Sequence, residues 1–307
     1  MTRQFIAASA QLGPIARLEP RSSVVARMLA LLDEAKRRGV TFVVFPELAL
    51  TTFFPRWFFT NEADLDPFYE TAMPNDDVAP LFAAAKSAGI GFHLGYAELA
   101  QEDGRRVRYN TCILVDDMGN IVHTYRKVHL PGHREHEPTF PFQHLEKRYF
   151  ERGNLGFPVT KMMGGTFATL ICNDRRWPEA FRVLGLQGAE LVAIGYNTPQ
   201  HYPRAPAHDR LQDFHNHLSL QAGAYQNGTY VIGSAKAGLE EECELIGGSC
   251  VIAPTGEILA LAATRGDELV TAAIDLDRCQ EIKANMFNFA LHRQPDAYGL
   301  LTDASAS

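Results

Sequence analysis

Residues 166–195 read TFATLICNDRRWPEAFRVLGLQGAELVAIG. The run Thr166–Cys172 is apolar and of strand length. Pro178–Gln187 is helical, and Leu191–Gly195 is a second apolar strand. Strands that alternate with helices in this way place the chain in the α/β class. One detail sets the functional question. The first strand ends in a cysteine, and Asn173, Asp174, Arg175 and Arg176 follow it directly.

The same alternation runs through the rest of the chain. Gln4–Gln11 reads as a strand. Ser22–Arg38 reads as a helix with Val24, Val25, Met28, Leu29 and Leu32 on one face, a serine cap at Ser22 or Ser23, and Gly39 at its close. TFVVFPE (Thr41–Glu47) is a short strand stopped by proline. Val78–Ser87 is a helix, GIGFHLGYAE a strand, and NTCILVDDMGNIVHTYRK a hairpin. Leu211–Tyr225 reads as a helix with Leu211, Phe214, Leu218, Ala222 and Tyr225 on its apolar face. TYVIGSA, GGSCVIAP, GEILALAA and LVTAAIDL are further strands. Each half thus gives strand, helix, strand, helix, strand and then hairpins. Two sheets packed face to face with helices outside would cover every apolar surface. The expectation is one pseudo-symmetric domain over residues 1–307, with the tail from about 296 extended or at a subunit contact. Long loops, through Pro74 and over 128–158, are where function is expected. The aromatic stretch Phe53–Phe59 is read as shaping access or a subunit interface.

Composition narrows the function classes. The chain has 307 residues, 46% hydrophobic and 21% charged, with a formal charge of −7. No basic face of the kind nucleic acid requires is present, and Lys36-Arg37-Arg38 reads as a solvated helix face. Five cysteines without a CxxC pair argue against a disulfide framework and for a reducing cytoplasm. No window is apolar for long enough to read as a membrane span or signal peptide.

Three polar residues end apolar strands: Glu47 in VVFPEL, Lys127 in HTYRKVHLPGH and Cys172 in TLICND. Each alone is ordinary. Together they match what acyl transfer from an amide-like carbonyl needs. A thiol requires a base or a cation to become a nucleophile at neutral pH. A carboxylate can take its proton, and an ammonium can hold the developing oxyanion.

FPEL, YRKVHL and CNDRRWPE, in that order, resemble the signature regions of the nitrilase (carbon–nitrogen hydrolase) superfamily, and GGSCVIAPTGEILA resembles its late hairpin. Within the superfamily, FPELALTTFFPRW, RKVHLPGH, PFQHLEKRYFE, CNDRRWPEA and GYNTP are most similar to the N-carbamoyl-D-amino acid amidohydrolases. The resemblance implies a four-layer αββα sandwich. It implies Cys172 as nucleophile, Glu47 as general base, Lys127 as oxyanion holder and Glu146 as a second carboxylate. It implies Asn173, Asn197 and Thr198 at a carboxylate-binding end, and His129 and His144 as pocket histidines bonded to the catalytic carboxylates. A homodimer or homotetramer follows from the same source, as does the preference for D substrates.

The adjacent arginines carry an argument of their own. Guanidinium forks bind carboxylates bidentately. Arg175 and Arg176, three and four residues past Cys172, would fix a substrate carboxylate one short molecule's length from the sulfur. An N-carbamoyl amino acid has that shape. At least one arginine is also expected to pair with Asp174 or Glu179. Three other readings stay open: an amide, nitrile or β-ureido acid substrate on the same triad, a metal-dependent hydrolase using the histidine groups 129–136 and 208–217, and a non-catalytic binder. Pro131 and Gly132 break any helix between His129 and His133, and no HExxH is present, so neither a metal nor an organic cofactor is expected. Cys112, Cys243, Cys250 and Cys279 are read as inert.

Overall fold

Side chains alternate across β2 (Val40–Val44) and decide the layering. Phe42 and Val44 join a cluster with Phe167, Leu191, Ala193 and Ile232 from the other half of the chain. Val43 joins the opposite cluster, with Val24, Met28, Leu32, Leu81 and Ala85. A strand buried on both faces belongs at the centre of a layered structure. The molecule, seen in a computed structural model that describes residues 3–140 and 142–306, is built this way. Met1, Thr2, Pro141 and Ser307 lie outside the described residues.

The first sheet has the order β14-β1-β2-β3-β4-β5. Its other strands are β1 (Gln4–Gln11), β3 (Gly91–Glu102), β4 (Arg105–Val115), β5 (Ile121–Arg126) and β14 (Glu268–Asp275). The second sheet has the order β13-β12-β9-β8-β7-β6. It comprises β6 (Val159–Met162), β7 (Gly165–Ile171), β8 (Leu191–Tyr196), β9 (Tyr230–Ala235), β12 (Cys250–Ile252) and β13 (Ile258–Leu261). A small hairpin, β10 (Ala237–Glu240) with β11 (Cys243–Ile246), stands apart from both. In each sheet three parallel strands, β1–β2–β3 or β7–β8–β9, carry antiparallel strands on their flanks. The two halves therefore share one topology, although no repeat is visible in the sequence. Helices Arg21–Arg37 and Ala79–Ala88 cover the first sheet, and Pro178–Leu186 and Gln212–Asn227 cover the second. The fold is a single α/β sandwich of four layers.

Several local expectations change. The first helix starts at Arg21 behind Pro20, with no serine cap. The helix Gln212–Asn227 is turned the other way round from its apolar face. Phe214, Leu218 and Tyr225 are exposed, while Gln212, Asn216, Leu220, Gly223, Ala224 and Asn227 are buried. A Cβ at Gly223 would lie 2.4 Å from the Phe181 ring, so this face must be small to let the helices meet. The aromatic stretch is largely core: Phe53, Phe54 and Phe59 are buried with Phe68, Tyr69, Tyr149 and Phe150. The C-terminal segment winds into short 3-10 turns at Pro295–Leu301 and Ala304–Ala306. Among the described residues, no helix is long and apolar enough to cross a membrane.

Candidate active site

The site forms where the C-terminal ends of the parallel strands of both sheets converge, which is where α/β folds collect polar side chains. Glu47 lies three residues past β2. Its backbone is pressed between the two sheets, and glycine makes this possible. A Cβ at Gly195 on β8 would stand 2.4 Å from Glu47 N, and one at Gly95 on β3 would stand 2.7 Å from Pro46 O. Leu48, the next residue, has φ 45°, a left-handed conformation that a leucine adopts only under constraint.

Lys127 follows β5 directly and is buried with Glu47 and Glu146. Its ammonium donates to Glu47 Oε1 at 2.7 Å and to Glu146 Oε2 at 2.6 Å. Asn110, on β4, donates through Nδ2 to Glu47 Oε1 at 2.8 Å and to Glu146 Oε2 at 3.4 Å. Among the described residues, the other Glu47 oxygen accepts only the Asn197 backbone N–H, at 3.0 Å. His144 Nε2 lies 3.2 Å from Glu146 Oε1.

Two carboxylates around one ammonium cannot both be equally content. Burial works against the charge on Lys127, but Glu146 and Glu47 outweigh it and raise its pKa. Burial and the neighbouring Glu146 push Glu47 up, against the pull of Lys127. Glu146 is also desolvated, yet Lys127 and His144 hold it below its ordinary value. Glu47 is thus the carboxylate of the pair prepared to take a proton.

Cys172 follows β7 directly, opening a 3-10 turn with φ 46°, a second strained non-glycine residue at the site. The turn is held by Asp174, which sequence reading placed only as an arginine partner. Asp174 Oδ2 accepts from Ile171 N and from the Tyr125 hydroxyl at 2.7 Å. Its Oδ1 accepts from His129 N at 2.9 Å and lies 2.7 Å from His129 Nδ1. The sulfur lies 3.9 Å from the Asn197 carbonyl oxygen. Asn197 therefore touches both thiol and base, since its Nδ2 also donates to Glu47 O at 2.9 Å. Burial and Glu47 raise the thiol pKa, while Lys127 and Arg175 oppose them. The balance favours the protonated sulfur, which calls for a base at the moment of attack.

The two arginines differ. Arg175 is buried and committed to the protein. It donates to the Cys172 carbonyl at 2.7 Å, to Thr198 Oγ1 at 2.9 Å and to Asn216 Oδ1 at 3.0 Å, and its Nη1 lies 3.7 Å from the sulfur. Arg176 is exposed, and among the described residues its only side-chain bond is a long one, 3.4 Å to Gln212 Oε1. The surrounding protein and Arg175 both disfavour its charge. Neither arginine pairs with Asp174 or Glu179, contrary to expectation, because Asp174 is fully used in the turn.

The remaining candidates divide in the same way. Asn173 Nδ2 donates to His129 O, and Asn197 and Thr198 are buried with protein partners. His129 binds Asp174, not a catalytic carboxylate, and stacks on Trp177 at 5.1 Å. His144 alone of the two histidines meets a site carboxylate. Beside it opens a small cavity of about 70 Å³ lined by His133, Phe140, Phe142, His201 and Tyr202. Among the described residues, no group of three or more His, Cys, Asp or Glu is placed to hold a metal ion. The other four cysteines are buried and free, and burial pushes Cys243 up to about 11 and Cys250 and Cys279 to about 12. Asn110 and Asp174 are the site residues that sequence reading missed. Neither ends a strand in the sequence pattern, and only the fold brings them inward.

A model of the carbon–nitrogen hydrolase family matches residues 6–284. N-carbamoylputrescine amidase of Arabidopsis thaliana is 28% identical over 297 residues, which is 91% of this chain and 90% of that one. Deaminated glutathione amidase of Rattus norvegicus is 31% identical over 238 residues, 72% of this chain and 64% of the relative. The crystal structure of a carbon–nitrogen hydrolase from Helicobacter pylori G27 superposes with a TM-score of 0.83 at 24% identity, covering 98% of this chain and 99% of that one.

Proposed function

The chain belongs to the carbon–nitrogen hydrolase family, and we propose that it hydrolyses N-carbamoyl-D-amino acids to the D-amino acid, ammonia and carbon dioxide. Glu47 takes the Cys172 proton as the sulfur attacks the ureido carbonyl. The Lys127 ammonium, fixed by Glu47 and Glu146, stabilises the oxyanion. The tetrahedral adduct collapses, and the departing nitrogen takes its proton from Glu47. Water, deprotonated by Glu47, opens the sulfur-bound carbonyl; the thiolate retakes that proton from Glu47, and the carbamic acid released loses carbon dioxide to free the second nitrogen. Glu146, anchored by His144, keeps Lys127 charged and in place.

The observation that carries the substrate class is the pair of cations past the thiol. Among the described residues, neither Arg175 nor Arg176 has an acidic partner. Arg176 faces outward four residues from Cys172. A substrate α-carboxylate there would relieve the repulsion between the two guanidinium groups. The carboxylate clamp of the sequence reading therefore rests on Arg176 and the Asn173 side of the turn, while Arg175 holds the thiol turn. The relative named for N-carbamoylputrescine supports the N-carbamoyl group. The relative named as an amidase supports a second reading, an amide substrate on the same triad.

The test is ammonia release from N-carbamoyl-D-phenylalanine and its L-enantiomer, by wild type and Cys172→Ala. D-selective release lost in the variant is expected. Release that survives in Cys172→Ala overturns the thiol mechanism. Turnover of propionamide in preference to both ureido substrates selects the amidase reading. Assembly as a homodimer or homotetramer belongs to the same proposal. It is supported by Phe214 and Leu218, 60% and 50% exposed on the outer face of their helix. Leu218→Glu should shift the sedimentation coefficient towards that of a monomer.

A further inference from the structure

A second buried ion cluster lies directly behind the site. Arg56, Lys236 and Glu240 have side chains no more than 1% exposed. Glu240 Oε1 accepts from Arg56 Nη2 at 2.6 Å, Phe53 N at 2.8 Å, Lys236 Nζ at 3.2 Å and Thr52 Oγ1 at 3.3 Å. Its Oε2 accepts from Ile15 N at 2.9 Å and lies 3.0 Å from Lys236 Nζ. Lys236 Nζ also donates to Thr51 O at 2.8 Å, and Arg56 donates to Phe53 O at 2.9 Å and to the Glu240 carbonyl.

The cluster reaches both catalytic carboxylates through backbone. It fixes residues 51–56, the continuation of the Glu47 turn. Pro55 O and Arg56 O accept from Leu145 N and Gln143 N, the segment that carries His144 and Glu146. Lys236 N donates to Tyr196 O, one residue before the Asn197 that holds Glu47. The charges also complement. Glu47, Lys127 and Glu146 sum to −1, whereas Arg56, Lys236 and Glu240 sum to +1.

We propose that Arg56, Lys236 and Glu240 are positioning residues that also supply the counter-charge for the carboxylate pair of the site. This rests on the reading of Glu47 as the base for Cys172. The charged and titratable groups about Glu47 are Lys127, Glu146, Cys172 and Cys112, with Arg175 beside the thiol and His144 beyond Glu146. Those about Lys236 are Glu240, Arg56, Cys243 and Glu47 itself. The net cation favours ionised Glu47. Deleting it makes both Glu47 and the thiol harder to ionise, and deleting the cluster's carboxylate does the reverse.

The experiment is the rate of Cys172 alkylation by iodoacetamide against pH, read by mass spectrometry on the intact chain. The acid limb should move up by about half to one pH unit in Lys236→Met and down by a similar amount in Glu240→Gln. Lys236→Arg, which keeps the charge, should leave it in place. Arg56→Met replaces either variant that does not fold, and it too must move the limb up. Folded variants whose limb coincides with wild type overturn the proposal, because a merely structural cluster would change the yield of folded protein and not the limb. A limb that Glu47→Gln leaves unmoved removes Glu47 as the base. The counter-charge is then judged on the other variants alone.

Discussion

The two buried clusters are built from the same parts and differ in how their carboxylates are filled. Glu240 has every lone-pair direction occupied by amides, a hydroxyl and two cations. Glu47 has one well-supplied oxygen and one that accepts a single backbone N–H. A saturated carboxylate has nowhere to put a proton, so Glu240 serves structure. An undersaturated one with a second carboxylate nearby is ready for a proton, as the base proposed for Cys172 must be. Burial alone therefore does not mark a catalytic acid. The marker is burial with incomplete hydrogen bonding and a surplus of like charge.

The severest strain on this contrast is Lys127→Met. It removes the proposed oxyanion holder and leaves Glu47 and Glu146 facing each other. Turnover should fall at least about a thousandfold, and unfolding free energy by about 3–5 kcal/mol at neutral pH. Ammonia release and urea denaturation report the two effects. A variant as stable as wild type would mean that the carboxylates do not depend on Lys127. Glu240→Leu tests the other cluster. Two buried cations without a carboxylate should cost about 3–5 kcal/mol. Arg56→Met leaves a balanced Lys236–Glu240 pair and should cost less. Equal losses would break the charge count.

A buried neutral pair gives a third case. His93 and His123 flank Leu114 between the sheets, and burial lowers both to about 4. Their folded values lie below the unfolded one, so the unfolded chain binds protons first. Stability is complete above about pH 6.5 and falls as pH drops towards 4, by up to about 3 kcal/mol per histidine. Urea midpoints at stepped pH check this, and a flat profile over that window would refute it. The smallest effect belongs to the exposed cation. Arg176→Ala should raise KM for an N-carbamoyl amino acid ten- to a hundredfold with kcat little changed. A loss confined to kcat would place Arg176 with Arg175, among the groups that hold the thiol turn.

How much of this was legible in the sequence depended on the range of the interaction. Glu47, Lys127 and Cys172 could be found because each breaks an apolar run at a strand end, a local signal. The strand and helix order was legible for the same reason. Asn110 could not be found, since a mid-strand asparagine has no pattern until the fold turns it towards two carboxylates. Arg56 and Glu240 are 184 positions apart, so no spacing announces them. Arg175 and Arg176 read as equivalent because sequence gives their identity and not their direction. The helix at 212–227 failed differently. Periodicity finds a stripe but not which stripe faces inward, and here Asn216 and Gly223 are inside because they must meet Arg175 and Phe181.

The division of the site between the two halves of the chain bears on the order of synthesis. Glu47, Asn110, Lys127 and Glu146 all emerge from the ribosome before Cys172. Asn197, Lys236 and Glu240 emerge later still. A nascent chain carries the proposed base and the ammonium well before it carries the proposed nucleophile, and Cys172 precedes the residues that clamp Glu47. A chain that stops short of Lys236 and Glu240 therefore lacks part of the proposed machinery, and the first sheet, begun at β1, is completed only when the last strand, β14, pairs with β1.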